Sequence, residues 1–454
     1  MTSLAQILLD AGHSVRGCDV ADDFVTHDIL KKLAIQIDVG FDHLLPEKID
    51  LVVFTSAHRG KFNPMVQQAI AKHIVAVSQA EELARWANQK KMVAVCGVGG
   101  KSTVSAMITW IMSQLHPDNV PSFSVGVGNI LGLNRTGSWN PQNPWFVTEA
   151  DEYVIDPSAP SRQEEIVPRF SFLRPSVVVV TNLAYDHPDV YQNFAHTQQV
   201  FAQFFAQIKH PGSLIINQDT PELNNLSATW KESHPDSTLL SFGQQNISQF
   251  TNQVGKSTAQ IMIGQQSIKV ELQLPGIYNM MNAAAALTAV SAMGESVEKA
   301  TQALADFPST MRRFEKIGEK QGVIYFDDYA HHPNEVKNVI EALNLWYPTQ
   351  RKVIAFQSHT FSRTKQLFTE FVDAFSSAQE VCMIDIFASA RESFDPSITS
   401  NLLCSQINHK YPQVKAQNYR TIPELAAYLK STLQPGDVCL TIGAGTIYQV
   451  HDLL

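Results

Sequence analysis

Residues Gly97-Val98-Gly99-Gly100-Lys101-Ser102-Thr103 combine glycines, one lysine and two hydroxyls directly after the apolar run Met92–Cys96. That order suits phosphate. A glycine turn lets backbone N–H groups close around an anion, and the dipole of a following helix favours it. Gly97, Gly99 and Gly100 would form the cradle. Lys101 would reach the terminal phosphates, and Ser102 or Thr103 would offer a hard oxygen to Mg²⁺. The loop is G-x-x-G-K-S-T, shorter than the common G-x-x-x-x-G-K-[ST]. The bland alternative is a glycine turn with a solvated lysine. The apolar strand before the loop favours nucleotide. So do Val104, Met107, Ile108 and Ile111 after it, at i, i+3, i+4 and i+7 on one helix face.

Further chemistry-bearing residues follow other apolar runs. Phe146-Val147-Thr148 leads into Glu149-Ala150-Asp151-Glu152. Carboxylates at a strand end, downstream of a phosphate loop, suit Mg²⁺, which shares oxygen ligands with substrate phosphates. Val177–Val180 leads into Thr181-Asn182 and on to Asp186-His187. His187 would bind a second metal or orient a phosphate, or simply hydrogen-bond Asp186 in a turn. Asn279 and Asn282 lie one turn apart at the start of an alanine-rich helix and would contact a purine, unless Asn279 only caps the helix. Arg312-Arg313 precedes Asp327-Asp328-Tyr329-Ala330-His331-His332-Pro333. Arginine's fork suits a transferring phosphoryl group, and the paired acids and histidines suit metal or ribose. Gln357–Thr364 and Gly443–Gly445 follow two more apolar strands, as site loops or as plain turns. Asp19 ends a short strand and either binds a ribose hydroxyl or is a solvated loop residue.

The elements needed to hold these residues are α/β. At ~150 residues per domain, 454 residues suggest about three domains. Leu4, Ile7, Leu8 and Ala11 give a helix that stops at Gly12. Strands are expected at 14–19, 50–55 and 74–77, with Asn63 capping a helix that begins at Pro64. Strands alternating with helices argue for parallel sheets in each domain. In the last third, strands are expected at 323–326, 353–356, 381–384 and 438–442, and helices at 334–345 and 364–375. The polar stretches 153–175 and 225–260 read as loops or insertions.

Bulk composition narrows the classes. The content is 44% hydrophobic and 17% charged, as in an ordinary globular protein. A formal net charge of −9 argues against a nucleic-acid partner. The five cysteines are scattered without a C-x-x-C pair, which fits free thiols in a reducing cytoplasm. No run approaches the ~20 apolar residues of a membrane span.

These segments, in this order, resemble the Mur ligases, the ATP-dependent amide-forming enzymes of peptidoglycan synthesis. Asp-Asp-Tyr-Ala-His-His-Pro at 327–333, followed by Phe-Gln-x-His-x-x-Ser-Arg-Thr at 356–364, is the most discriminating combination. The similarity spans nearly the whole chain and is greatest to the branch that adds L-alanine to UDP-N-acetylmuramate. It implies three domains, each a mostly parallel sheet with flanking helices. Residues 1–90 would be a Rossmann-like UDP-sugar domain, 91–310 a central P-loop ATPase domain, and 311–454 a Rossmann-like ligase domain. The chain opens on a helix, so the first strand and glycine loop of the sugar domain are expected to be missing. Closure of the domains would assemble the site.

The resemblance also implies roles. ATP and Mg²⁺ are the cofactors, and UDP-N-acetylmuramate and a small amino acid, L-alanine favoured, are the partners. Lys101 would hold the β/γ-phosphates. Ser102, Thr103 and Glu149 would hold one Mg²⁺, and His187 a second. Asn279 and Asn282 would meet the adenine, Arg313 the γ-phosphate and Asp328 the ribose. Lys101, His187, Arg313, His331 and Arg363 would carry catalysis. Asp19, His359 and Arg363 would bind substrate. The enzyme would be cytoplasmic, a monomer or weak homodimer. One alternative joins a preformed peptide to the same sugar, against which Ser362-Arg363-Thr364 argues by favouring an amino-acid-adding enzyme, or takes glycine or serine in place of alanine. Another is a nucleotide-binding protein without ligase activity, against which Lys101, Glu149, His187 and Arg313 argue.

Overall fold

The computed structural model describes residues 1–21, 25–388 and 392–454. They form two compact units. The first comprises Met1–Ser248, Gln260–Val270 and Met281–Pro308, and the second Gln249–Ala259, Glu271–Met280 and Ser309–Leu454. The fold class is the expected one, α/β with mostly parallel sheets and flanking helices.

A seven-stranded sheet organises the first unit. Its order is Thr238–Phe242, Ser213–Asn217, Val177–Val180, Lys91–Cys96, Trp145–Glu149, Ser122–Ser124 and Gly137–Ser138. All neighbours are parallel except the last pair. The four valines of 177–180 are at most 3% exposed, as expected of a strand covered on both faces. Each contributes about 1.5–3 kcal/mol by transfer from water. The helix Lys101–Leu115 is buried on every side, Ser105 and Thr109 included, so its apolar stripe understated its burial. Two small parallel sheets lie in the N-terminal part, Arg16–Asp19 with Gln36–Val39 and Leu51–Phe54 with Val75–Ser78. Asn63 caps Pro64–Ala71 by accepting the Met65 N–H at 2.9 Å. The helix Thr2–Asp10 docks on the sheet's edge, where Gln6 Oε1 accepts the N–H groups of Thr136 (3.0 Å) and Gly137 (2.7 Å). Ile7, Leu83 and Ala87 thereby share one core with Met92, Phe146 and Phe204.

The second unit holds a six-stranded sheet, ordered Glu315–Lys320, Val323–Asp328, Val438–Ile442, Lys352–Phe356, Glu380–Met383 and Lys415–Asn418. Only Glu315–Lys320 runs antiparallel.

Three expectations fail. The stretch 225–260 is not loop: it carries the end of helix Pro221–Ser233, the strand Thr238–Phe242 and the strands Ile247–Gln253 and Lys256–Ile263. Lys256–Ile263 does alternate, but its buried positions include Ser257 and Ala259, so the pattern is faint. The helix expected at 364–375 is two, Phe361–Gln366 and Phe368–Ala374, broken at Leu367 (φ −104°, ψ 29°). Asn279 does not cap its helix. It lies inside Ile277–Ala292 and donates to the Pro275 carbonyl at 2.8 Å. All five cysteines are free, four of them buried. Among the described residues no helix is long and apolar enough to cross a membrane.

Candidate active site

Strand register assembles the phosphate loop. Val95 pairs with Glu149 and Cys96 with Val180. The carboxyl ends of three adjacent strands therefore meet, where open parallel sheets bind ligands. Gly97 has φ +123°, and a Cβ there would press on Thr181 Oγ1 and lie 2.7 Å from the Asn182 carbonyl. Gly100 (φ +84°) precedes the helix Lys101–Leu115, and a Cβ there would lie 2.7 Å from Asn282 Oδ1. Both positions require glycine. Asn182 Oδ1 accepts the N–H groups of Val98 (2.7 Å) and Gly99 (3.1 Å), and Thr181 Oγ1 donates to the Gly99 carbonyl at 2.5 Å. Ser102 and Thr103 sit buried in the helix's first turn.

Charge is concentrated beside the loop. Lys101 Nζ lies 3.1 and 3.0 Å from the two oxygens of Glu152 and also donates to the Gly97 carbonyl. Burial pushes the lysine's pKa down, but Glu152 and Asp151 outweigh it and hold the ammonium above the ordinary lysine range. Asp151 is likewise pushed up by burial, yet Arg169 at 2.6 Å, Lys101 and His187 hold it well below the usual carboxylate range. Glu149 Oε1 accepts the Gly126 N–H at 2.7 Å. His187 has φ +57°, a conformation uncommon outside glycine and asparagine. Its N–H donates to Asp186 Oδ1 at 2.8 Å, while its Nε2 lies 3.6 Å from both Asp186 and Glu152. The turn hydrogen bond and the ring aimed at the acidic cluster thus coexist. Asp19 faces His58 Nε2 at 3.5 Å instead.

A second constellation lies in the second unit. Asp328 pairs with Ile442, and Phe356 pairs with the same residue, so the ends of these strands adjoin. Asp328 is buried and accepts the N–H groups of Ala330 and Phe314, each at 2.7 Å. Burial raises its pKa to about 6. Arg313 reaches Glu335 at 4.0 Å and lies over Tyr329. His331 Nδ1 is 3.8 Å from Glu335, and its ring is 6.3 Å from that of His359. His359 stacks on Phe387 and lies 3.5 Å from the Arg363 guanidinium. Gly443 and Gly445 offer their carbonyls to the buried Arg312, which also bonds Asp327 at 2.8 Å and stacks on Tyr448. This glycine loop is thus packed around an arginine.

Four participants carry no individual signature in the sequence. Glu152 stood in the acidic cluster with nothing to single it out as the partner of Lys101. Arg169 lies in the polar stretch 153–175, where nothing in the sequence marks it as the partner of Asp151. Glu335 was legible only as the acid of a His-x-x-Glu capping box, which the helix Pro333–Trp346 does contain. Arg312 differs from Arg313 only in where the fold sends it.

Among the described residues no three His, Cys, Asp or Glu side chains converge as a complete metal site. Ser102 and Thr103 in the first turn of the helix, Glu149 at the end of the adjacent strand and His187, 3.6 Å from Glu152, nevertheless offer oxygen donors and an imidazole. That set fits an ion that completes its shell with nucleotide phosphates.

Three family models match the chain: Mur ligase family, catalytic domain at residues 1–91; Mur ligase middle domain at 95–290; and Mur ligase, glutamate ligase domain at 312–445. A UDP-N-acetylmuramate–L-alanine ligase of Desulfitobacterium hafniense is 32% identical, over 100% of this chain and 96% of that protein. One of Clostridium kluyveri is 33% identical, over 100% and 95%. The crystal structure of a UDP-N-acetylmuramate–alanine ligase from Thermotoga maritima has the same fold, with a TM-score of 0.78 at 21% identity over 100% of this chain and 95% of that one.

Proposed function

The chain belongs to the Mur ligase family, and from that premise we propose that it joins L-alanine to UDP-N-acetylmuramate with ATP, in peptidoglycan synthesis. The relatives' activity supports the two substrates, and the observation that supports ATP is the placing of Lys101, Ser102, Thr103, Glu149, Glu152 and His187 on the segments that follow three adjacent strand ends. Residues 1–90 are assigned to the nucleotide sugar, 91–310 to ATP and 311–454 to the amino acid.

The chemistry runs in two displacements. The sugar's lactyl carboxylate attacks the γ-phosphorus of ATP, the bond to the β–γ bridging oxygen breaks, and ADP leaves. The amine of L-alanine then attacks the acyl-phosphate carbonyl, loses a proton, and phosphate leaves as the amide forms. Carboxylate and triphosphate are both anions, so fixed cations must bring them together. Lys101 holds the β/γ-phosphates over the N–H groups of the loop, with Gly97, Gly99, Gly100, Ser102 and Thr103 shaping the cradle. Arg313 meets the γ-phosphate, Asn279 and Asn282 the adenine side, and Asp328 the ribose. His331, His359 and Arg363 orient the carboxylate and the amino acid, and Asp19 serves the nucleotide sugar. Ser102, Thr103 and Glu149 would hold one Mg²⁺ and His187 a second; bound there, the ions neutralise phosphate charge.

Labelling the lactyl carboxylate with ¹⁸O tests this order of events. One labelled oxygen is expected in the released phosphate. Unlabelled phosphate alongside amide formation would refute the acyl-phosphate route.

A further inference from the structure

The phosphate-loop lysine has a carboxylate partner in place. Lys101 Nζ contacts both oxygens of Glu152, at 3.1 and 3.0 Å, with the two side chains 15% and 3% exposed. The same ammonium donates to the Gly97 carbonyl, so the ion pair also ties the loop's first glycine. Glu152 is fixed in turn: its carbonyl accepts the Tyr191 hydroxyl, and the neighbouring Tyr153 hydroxyl donates to Asp189 at 2.6 Å. A buried ammonium cannot give up one anion without finding another. A phosphate that engages Lys101 must therefore displace Glu152, whose carboxylate keeps His187 Nε2 at 3.6 Å.

We propose that Glu152 is a positioning residue that competes with the nucleotide's phosphates for Lys101. It holds the lysine and the loop in register for phosphate, and it weakens nucleotide binding by the free energy needed to part the pair. This inference rests on the nucleotide reading of the loop. Its signature is a sign. A carboxylate that merely supported the fold would, when removed, weaken binding. A competitor, when removed, strengthens it.

The test is calorimetric titration of the full chain with ADP in EDTA, so that metal binding by Glu149 or His187 does not enter. Glu152→Gln is expected to bind ADP about tenfold more tightly than the wild type, the factor for a lysine free of its carboxylate in one molecule in ten. Glu152→Asp, which keeps the charge on a shorter stem, is expected between the two. Glu149→Gln removes the same charge from a side chain that accepts the Gly126 N–H, and is expected to gain much less. Circular dichroism checks that each variant is folded. Should the glutamine variant not fold, the aspartate variant decides. Equal or weaker ADP binding in the Glu152 variants, or an equal gain in Glu149→Gln, overturns the proposal. A wild type that binds no ADP overturns the nucleotide reading itself and this inference with it.

Discussion

Neighbouring arginines show how far residue type underdetermines role. Arg312 and Arg313 are adjacent, yet Arg312 is buried between Asp327, two glycine carbonyls and Tyr448, while Arg313 stays partly exposed beside Glu335. Arg312→Ala strands Asp327 and should cost roughly 3–5 kcal/mol of stability. Arg313→Ala should leave stability within about 1 kcal/mol but lower turnover ~10²–10³-fold if it meets the γ-phosphate. Urea unfolding and phosphate-release assays on the same preparations separate the two. Lys101→Ala should abolish turnover with the fold retained, although less stable, because Glu152 is left buried without its counter-charge. Near-normal activity would refute the role of Lys101. Asp328 supplies a pH signature. Burial pushes its folded pKa up to about 6, above the ordinary aspartate value of 3.8. The folded state therefore binds the proton more tightly, and this group's contribution to stability is full below pH 3.8 and lost as pH rises to about 6. Subtracting the pH–stability profile of Asp328→Asn from that of the wild type should show a decline across that window. A flat difference would contradict the assignment.

Elements were legible where apolar runs end in glycine or a polar residue. The valines of 177–180 and the run before Gly97 announced buried parallel strands, and their carboxyl ends carry the candidate site. Elements were illegible where burial falls on small or polar side chains. Lys256–Ile263 buries Ser257 and Ala259, and the edge strand Glu315–Lys320 is largely charged and solvent-facing, as edge strands often are. The loop's geometry carries its own prediction. Gly12 and Gly97 both have positive φ, but a Cβ at Gly12 meets nothing within 4 Å, while at Gly97 it overlaps Thr181. Gly12→Ala should cost only the ~1 kcal/mol of a left-handed alanine. Gly97→Ala adds steric overlap and should cost more, and it should also weaken ADP binding. Equal costs in denaturant titrations would mean that the loop is not held by Thr181 and Asn182.

At the scale of the whole chain, a protein of net charge −9 must bind polyanions through local positive charge. In the proposed nucleotide cradle of the first unit, the glycine loop, its helix N-terminus and Lys101 would supply it. Order along the sequence revealed the family because the motifs recur at successive strand ends, and a parallel sheet gathers strand ends by construction. Pairings between side chains, such as Lys101 with Glu152 or Arg169 with Asp151, depend on register and burial and had no signature of their own. If the γ-phosphate of ATP goes to a carboxylate and is released as an amide forms, its release must depend on both the sugar nucleotide and the amine. Phosphate release should be measured with ATP and UDP-N-acetylmuramate while each amino acid, and a preformed peptide, is supplied singly. Release is expected with L-alanine, dependent on the sugar nucleotide and matched by a product heavier by one alanine residue. No release with any amino acid, or release that ignores the sugar nucleotide, would contradict it.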